Sequence, residues 1–179
     1  MAFLEICLYP DPVLRARCPE VTDFDDDLRR LAESMIETMH AAPGVGLAAP
    51  QVGVEKRLAV VDISVGRETE ALHVLINPRI VEEDGREIDL EGCLSIPGFT
   101  EKVGRPERIR VAAQNLDGET FEIDLEGFEA RAVCHELDHL DGVLFVDHLR
   151  GLRRERARRH LKRLARQTAE TLDTTSAVA

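Results

Sequence analysis

The stretch VCHELDHLDG, residues 133–142, contains two histidines four positions apart and a glutamate directly after the first of them. Positions i and i+4 of a helix lie one above the other on the same face, so His135 and His139 could hold one metal ion. Glu136 projects beside this pair, as in H-E-x-x-H motifs, whose glutamate acts as a general base toward water. Two imidazoles do not complete a tetrahedral site, so a third ligand decides the chemistry.

Helices are predicted on both sides of a central region of strands. One helix is expected from about Phe128 to Leu140, around the two histidines, and another from about 150 to 170. An earlier helix within 22–44 is predicted by apolar residues at helical spacing and by acidic residues in the first turn. Its apolar positions are Leu28, Leu31, Met35, Ile36 and Met39.

The strands are predicted from β-branched runs and from turn dipeptides. Residues 57–63 and 72–77 are typical of buried strands. Residues 79–92 predict a pair of strands that turn at Asp84-Gly85, and residues 108–127 predict a hairpin around Asp117-Gly118. Because the strands are grouped in the middle, we expect an α+β fold rather than alternating β-α-β units. Mostly antiparallel sheets would pack around a central H-E-x-x-H helix, with a further helix at the C-terminal end.

Length and composition favour one soluble, globular domain. The 179 residues, 44% hydrophobic and 32% charged, suffice for a core without disulfide bonds. No apolar run approaches the ~20 residues that span a bilayer, and the first residues do not resemble a signal or transit peptide. The four cysteines have no regular spacing and no C-x-x-C motif, which predicts reduced thiols in a cytoplasmic protein. They are Cys7, Cys18, Cys93 and Cys134.

The charge is distributed unevenly along the chain. Residues 1–149 carry 14 basic and 31 acidic side chains, whereas residues 150–166 carry nine basic side chains and one acidic. A charge run of this kind is usually a solvated face. However, nine cations in one helix repel one another, which favours a partner that collects the charge.

The candidate third ligand lies in EGCLSIPG, residues 91–98. Cys93 follows a predicted strand and precedes a Pro-Gly turn, so its thiol can point into a cleft, and thiolate binds zinc and ferrous iron well. Cys134 is a rival, but it is displaced by ~100° around the helix from the neighbouring histidine. Asp138 and Asp141 have no better helical phase. The residues alone favour Cys93 and leave these alternatives open.

A glycine-rich stretch, GVGLAAPQVG at residues 44–53, is the third feature. Two glycines two positions apart let the backbone approach a ligand closely. The stretch lacks the Gly-Lys-Ser/Thr ending of a phosphate loop, and in isolation it would be interpreted as a helix C-cap and a turn. Gln51 does not fit that interpretation well, because an uncharged amide beside such a loop can donate to a developing oxyanion.

Together, the three stretches resemble the peptide deformylase family. That family carries G-x-G-x-A-A-x-Q, E-G-C-L-S and H-E-x-D-H in this order, and here they are complete at 44–51, 91–95 and 135–139. The resemblance covers about residues 3–165. It implies a hydrolase that removes the N-formyl group from the formyl-methionine of new polypeptides and releases formate. It also implies a catalytic domain at 1–166, followed by a disordered tail at 167–179.

The resemblance assigns roles to eight residues. The implied metal ligands are Cys93, His135 and His139, with ferrous iron as the native metal and zinc, nickel or cobalt possible in purified protein. The implied catalytic groups are Glu136 as the acid/base, with Gln51 and the backbone N–H of Leu94 as oxyanion donors. The implied substrate-binding residues are Val45 and Gly46.

Some positions depart from the family pattern. Thr100 stands where some bacterial members have an arginine near the peptide-binding cleft. Phe128, Arg131 and Ala132 lie on the helix face that lines the methionine pocket in the family. An arginine is unexpected in an apolar pocket, so Arg131 either points away from it or alters it.

Two other classes of protein share part of this pattern. A metallopeptidase shares the two-histidine helix, but it takes its third ligand further along the chain, where only His148 and His160 are candidates. A structural metal site would be closed by a fourth protein ligand, for which Cys134 is the candidate. Such a site gives no reason for Glu136 or Gln51, and the deformylase reading is therefore preferred.

The partners implied are formylated nascent chains and the ribosome, with no membrane and no DNA. Family members are thought to reach the ribosome through their C-terminal helix, and residues 150–166 would dock near the tunnel exit. A basic helix gains affinity for RNA by releasing counterions from phosphates. The helix would pack through a partial apolar stripe formed by Leu152, Ala157, Leu161, Leu164 and Ala165.

Overall fold

The computed structural model describes residues 3–42 and 44–176. Within those ranges the chain forms three α-helices, seven strands and four short 3-10 helices. The α-helices are α1 (Asp26–Ala41), α2 (Gly127–Leu140) and α3 (Gly151–Ser176). The strands are β1 (Gly46–Ala48), β2 (Leu58–Asp62), β3 (Leu72–Asp84), β4 (Glu87–Cys93), β5 (Ile96–Arg105), β6 (Arg108–Gln114) and β7 (Thr120–Glu126). The 3-10 helices are Pro12–Arg15, Ala49–Val52, Thr69–Ala71 and Phe145–His148.

Two antiparallel sheets carry the strands, which confirms the predicted α+β class. Five strands form one sheet in the order β1-β2-β3-β6-β7, and β4 and β5 form a separate two-stranded sheet. The hairpin predicted around Asp117-Gly118 is present as β6 and β7. The expected pairing across Asp84-Gly85 is wrong, because β3 and β4 belong to different sheets. The part of β3 next to the turn, residues 79–84, pairs with β6, and β4 pairs with β5 instead.

The first helix begins where the sequence predicts. The side chain of Asp25 accepts a hydrogen bond from the backbone N–H of Leu28 at 2.9 Å, which caps the helix, and acidic residues follow in the first turn. The face that packs on the large sheet is buried and consists of Leu28, Ala32, Met35 and Met39.

Strand β2 is covered by a helix on each face, which explains its continuous apolar sequence. Successive strand residues point to opposite faces. Leu58 and Val60 join the cluster that contains the buried face of α1, whereas Val61 joins the cluster under α2. Because α2 packs against β1, β2 and β7, nearly all of its length is buried. The two histidines therefore lie at the centre of the molecule.

The C-terminal helix packs against β5 and extends beyond the predicted limit near residue 170. Ala157 and Leu164 are buried, as expected, but Leu152 is 84% exposed and was wrongly placed in the apolar stripe. It lies in the first turn of α3, before the helix reaches its packing surface. Within the described ranges, every helix is too short or too polar to span a bilayer.

Candidate metal centre

Three side chains from two elements converge on one point. One ligand atom each from Cys93, His135 and His139 lies within 4.8 Å of the others, and Cys93 Sγ is 3.2 Å from His139 Nε2. At the bond lengths of a tetrahedral zinc site, sulfur and nitrogen ligands stand about 3.5 Å apart. The donor set and its spacing therefore fit a divalent metal ion, with room for a fourth, non-protein ligand.

Local structure positions each ligand. The histidines occupy i and i+4 of α2, and their rings meet edge to face with centroids 5.0 Å apart. Cys93 is the last residue of β4, at a shift in register after Gly92. Such a bulge bends the strand and re-aims a side chain, here toward α2. The convergence therefore depends on the β4–β5 hairpin lying against the central helix.

The rival ligands lie elsewhere. Cys134 is buried in the apolar cluster between α2 and the sheet, and burial raises the pKa of its thiol to about 11.

The other candidate ligands have partners of their own. Asp138 pairs with Arg105 at 2.6 Å and with His148 at 2.7 Å. The ring of His160 stacks on Phe99 and its Nε2–H donates to the carbonyl of Pro97. Asp141 pairs with Arg57. Among the described residues, the three-ligand group thus consists of the predicted residues.

A buried carboxylate supports one ligand and was given no role by the sequence. Glu91 Oε2 lies 3.1 Å from His135 Nδ1, and Arg105 donates two hydrogen bonds to Glu91, at 2.8 and 2.9 Å. Burial opposes ionisation of Glu91, but hydrogen bonds from Arg105 and His135 outweigh it and lower the pKa to about 2. An ionised carboxylate only accepts, so Nδ1 of His135 carries the proton and Nε2 is free to bind metal. The sequence feature that could have indicated this role is the position of Glu91 in EGCLS, two residues before the ligand cysteine.

Arg131 borders the cavity, but its guanidinium is hydrogen-bonded to the β4–β5 hairpin. Its Nη1 donates to Glu91 Oε1 at 2.8 Å and to the carbonyl of Val103 at 2.9 Å, and its Nη2 donates to the carbonyl of Glu87 at 3.0 Å. The guanidinium therefore hydrogen-bonds to both strands of the β4–β5 hairpin and links the hairpin to α2. Only part of the side chain contributes to the cavity wall.

Glu136 faces the cavity from beside the metal ligands. It is 4% exposed, and its Oε2 has no hydrogen-bond partner among the described residues. Burial raises the pKa of its carboxyl to about 7, so the group can both accept and release a proton near neutral pH. Gly46 packs directly against this carboxylate, and a methyl group at that position would overlap Glu136 Oε1. The glycine is required because strand and acid approach so closely.

The predicted oxyanion donors, Gln51 and Leu94, border the same cavity. Ala48 N–H donates to Gln51 Oε1 at 2.9 Å, which fixes the amide and aims its NH₂ group at Cys93 Sγ (3.6 Å) and Ser95 Oγ (3.2 Å). Gln51 is almost fully buried within the 3-10 helix that follows β1. Leu94 borders the same cavity.

A cavity of about 520 Å³ opens onto these groups. Most of the side chains that surround it are apolar, and it is bounded by the glycine-rich stretch, the β4–β5 hairpin and α2. Such a space suits an apolar group beside a polar reacting group. The predicted substrate residues border it, as do the positions that depart from the family pattern: Val45, Gly46, Thr100, Phe128 and Ala132.

Comparisons with known proteins point to one family. The family model for polypeptide deformylase matches residues 3–155. A peptide deformylase of Acidobacterium capsulatum is 48% identical over 166 residues, which cover 93% of this chain and 98% of the relative. A peptide deformylase of Alkalilimnicola ehrlichii is 52% identical over 167 residues, 93% of either chain. A crystal structure of a peptide deformylase from Legionella pneumophila superposes with a TM-score of 0.86 at 43% identity, covering 94% of this chain and 98% of that one.

Proposed function

The chain belongs to the polypeptide deformylase family, and from this premise we propose which of its residues carry out the reaction. It is a metal-dependent hydrolase that removes the N-formyl group of newly made polypeptides. The observation that carries the residue assignment is the convergence of Cys93, His135 and His139 beside Glu136 in one cavity. The ligand set is thus Cys93, His135 and His139.

The proposed native metal is ferrous iron. A thiolate and two neutral imidazoles suit iron and zinc alike, and zinc, nickel or cobalt could replace iron in purified protein. When bound, the metal supplies Lewis acidity, which lowers the pKa of water and polarises the formyl oxygen. Glu91 and Arg105 hold His135 in the tautomer that this binding requires.

Glu136 is the proposed proton carrier. Its carboxylate takes a proton from the water molecule whose oxygen forms a bond to the formyl carbon. It then gives this proton to the amide nitrogen as the C–N bond breaks, so that formate and a free amine leave. A carboxyl whose pKa lies near 7 performs both transfers without a large energetic mismatch.

The developing negative charge on the formyl oxygen is met by the Gln51 amide and by the backbone N–H of Leu94. Each such donor typically contributes about 3 kcal/mol to the transition state. The hydrogen bond from Ala48 N–H already restricts the Gln51 side chain, so little conformational entropy is lost when its NH₂ group binds the oxyanion.

The methionine side chain of the substrate occupies the apolar part of the cavity, and Val45 and Gly46 border the peptide next to it. The hydrogen bonds of Arg131 to the hairpin favour this assignment, because they pair its charge beside the apolar pocket. Thr100 contributes no charge at the cleft, so binding there would rely on shape and backbone contacts.

The expected activity is release of formate from formyl-Met-Ala by protein purified without oxygen, with about one iron per chain. Acetyl-Met-Ala is the matched control, because it differs by one methyl group on the scissile carbonyl and should not be hydrolysed at a comparable rate. Formate and metal are both measured on the same preparation. Cleavage of the Met-Ala bond without formate release would instead indicate a metallopeptidase and contradict the proposal.

Residues 150–166 are proposed to dock the enzyme on the ribosome near the tunnel exit. Most arginines of α3 are exposed, including Arg154, Arg158 and Arg159, while Ala157 and Leu164 hold the helix on the body. The substrate emerges beside ribosomal RNA, whose phosphates would collect the charge. A cytoplasmic location follows from this proposal. The proposed domain boundary at residue 166 falls within α3, which continues to Ser176, so residues 167–176 of the predicted tail are helical. Residues 177–179 lie outside the described residues.

Charge reversal on α3 should abolish cosedimentation with ribosomes while formyl-Met-Ala is hydrolysed at an unchanged rate. The variant replaces Arg153, Arg154, Arg158 and Arg159 by glutamate. Sedimentation is compared at several salt concentrations, because release of counterions makes phosphate binding weaken steeply with salt. Binding that survived the reversal, or that did not depend on salt, would refute docking through this helix.

A further inference from the structure

A second cavity lies where the β4–β5 hairpin meets the first turn of α3. Its volume is about 660 Å³. Four cationic side chains line this space, which is called the basic cleft below: Arg86, Lys102, Arg150 and Arg153. All four are exposed. The basic cleft shares no lining residue with the catalytic cavity.

The cations of the basic cleft are largely unpaired. Within the described part of the chain, Arg86, Lys102 and Arg150 form no ion pair, and Arg153 reaches Glu101 only at 3.7 Å. The acidic side chain in the cleft, Asp147, is occupied by a salt bridge to Arg15. The cleft therefore presents positive charge that no neighbouring carboxylate neutralises.

This is unusual for a protein with a net charge of −11. Most arginines outside α3 that the structure describes pair with a carboxylate, as Arg57 does with Asp141 and Arg110 with Asp124. With so many acids available, four cations left together produce a local positive potential that attracts an external anion.

The cations of the cleft come from separate parts of the chain. The Arg86 guanidinium lies close to Gly104 of β5, where a Cβ atom would approach its Nη2 to 2.7 Å. Arg86 directly precedes β4 and Lys102 belongs to β5, whereas Arg150 directly precedes α3 and Arg153 lies in its first turn. The hairpin and the start of α3 therefore both contribute cations to the same space.

Exposed apolar side chains also line the cleft. Ile88 is 58% exposed and Leu152, the residue that departs from the predicted stripe, is 84% exposed. Ile88 and Leu90 point to the same face of β4, and Leu90 lies at the rim of the catalytic cavity. The basic cleft and the catalytic cavity therefore share one face of the β4–β5 hairpin.

We propose that the basic cleft binds the phosphate backbone of RNA, with ribose and base surfaces covering Leu152 and Ile88. This inference rests on the proposed ribosome docking and extends the contact surface from α3 onto the β4–β5 hairpin. Arg150 and Arg153 belong both to the cleft and to the basic segment 150–166, so the charge is continuous between them. The regularly spaced phosphates of RNA match this continuous row of cations better than an acidic peptide, whose carboxylates are irregularly spaced.

The test uses the full chain and a fluorescein-labelled RNA hairpin, titrated from about 50 to about 200 mM salt. The cleft variant carries Arg86→Gln and Lys102→Gln. The control carries Arg67→Gln and Arg79→Gln, two exposed arginines outside the cleft and without an ion pair among the described residues, so that both proteins lose two charges. The cleft variant should bind RNA roughly tenfold more weakly, with the slope of log affinity against log salt reduced by about 1 to 2. The control should change affinity by less than twofold.

The same variants are sedimented with ribosomes beside the charge-reversed helix variant. If the helix variant is released but the cleft variant binds RNA as tightly as the control, docking through α3 stands and the inference is wrong. If the helix variant stays bound, the docking proposal itself fails, whatever the cleft variant does. Polyglutamate is the third probe. Weakened polyglutamate binding with unchanged RNA binding would assign the cleft to an acidic protein and overturn the inference.

Discussion

Glu136→Gln should keep its metal and lose about 10³-fold in the rate of formyl-Met-Ala hydrolysis, since positioned acid/base groups typically contribute 10²- to 10⁴-fold. Glutamine has the shape of the carboxyl group but cannot accept a proton from water or return one to the amine. The metal ligands are untouched, and the neighbouring His135 is held from its far side by Glu91. The loss should therefore appear in kcat, with little change in metal content.

The matched control is Glu129→Gln, the same chemical change two turns earlier on α2. Glu129 pairs with His73 at 2.8 Å and lies outside the catalytic cavity. Activity of this variant should stay close to that of the unchanged protein, because the pair of His73 and Glu129 lies outside the catalytic cavity. Hydrolysis by Glu136→Gln at the rate of the control, with equal metal content, would rule out Glu136 as the proton carrier.

The site was predictable where local geometry determines it. A spacing of four in a helix fixes the relation of His135 to His139, and helical phase alone turns Cys134 into the core. Cys93 does end a strand, as predicted, but the turn after it is formed by Leu94 and Ser95. The predicted Pro-Gly turn is wrong, because Pro97 and Gly98 lie within β5.

Pairing of strands was not predictable in the same way. An Asp-Gly dipeptide between two strand-like runs favours a hairpin, and at residues 117–118 it forms one. At residues 84–85 the same dipeptide lies between two sheets, because β3 pairs with β6 up to Asp84 and β4 pairs with β5. The partner that each strand takes lies in a distant segment, so the two dipeptides look alike until the whole sheet is known.

The roles of Glu91 and Arg131 were hidden for a related reason. Both are charged residues that become buried, and a buried charge is tolerated only with partners. Those partners come from β4, β5 and α2, which are up to 44 residues apart in sequence. Only the tertiary structure brings Arg131 to Glu91 and to the hairpin backbone, which pair its charge beside the proposed methionine pocket.

Cys93→Ser should lower the affinity for metal by at least about 10²-fold, whereas Cys134→Ser should bind metal normally. Loss of a residue that only orients a ligand already costs 10- to 100-fold, so loss of the thiolate itself should cost more. A serine hydroxyl is not ionised near neutral pH and replaces a soft, charged ligand by a neutral one. Cys93→Ser should therefore also lose most of its activity.

Cys134→Ser is expected to lose stability rather than metal. Cys134 is 4% exposed within the apolar cluster under α2, and a hydroxyl buried there without a partner costs about 1 to 3 kcal/mol of unfolding free energy. Cys134→Ala avoids the buried hydroxyl and separates that cost from any effect on metal. Metal per chain and the midpoint of thermal unfolding are measured for all three variants, purified without oxygen. Metal loss in both Cys134 variants, with normal metal in Cys93→Ser, would show that the helix rather than the hairpin supplies the third ligand. In that event the two strands would no longer be needed to build the site, and Glu91 would have no ligand-bearing hairpin to anchor.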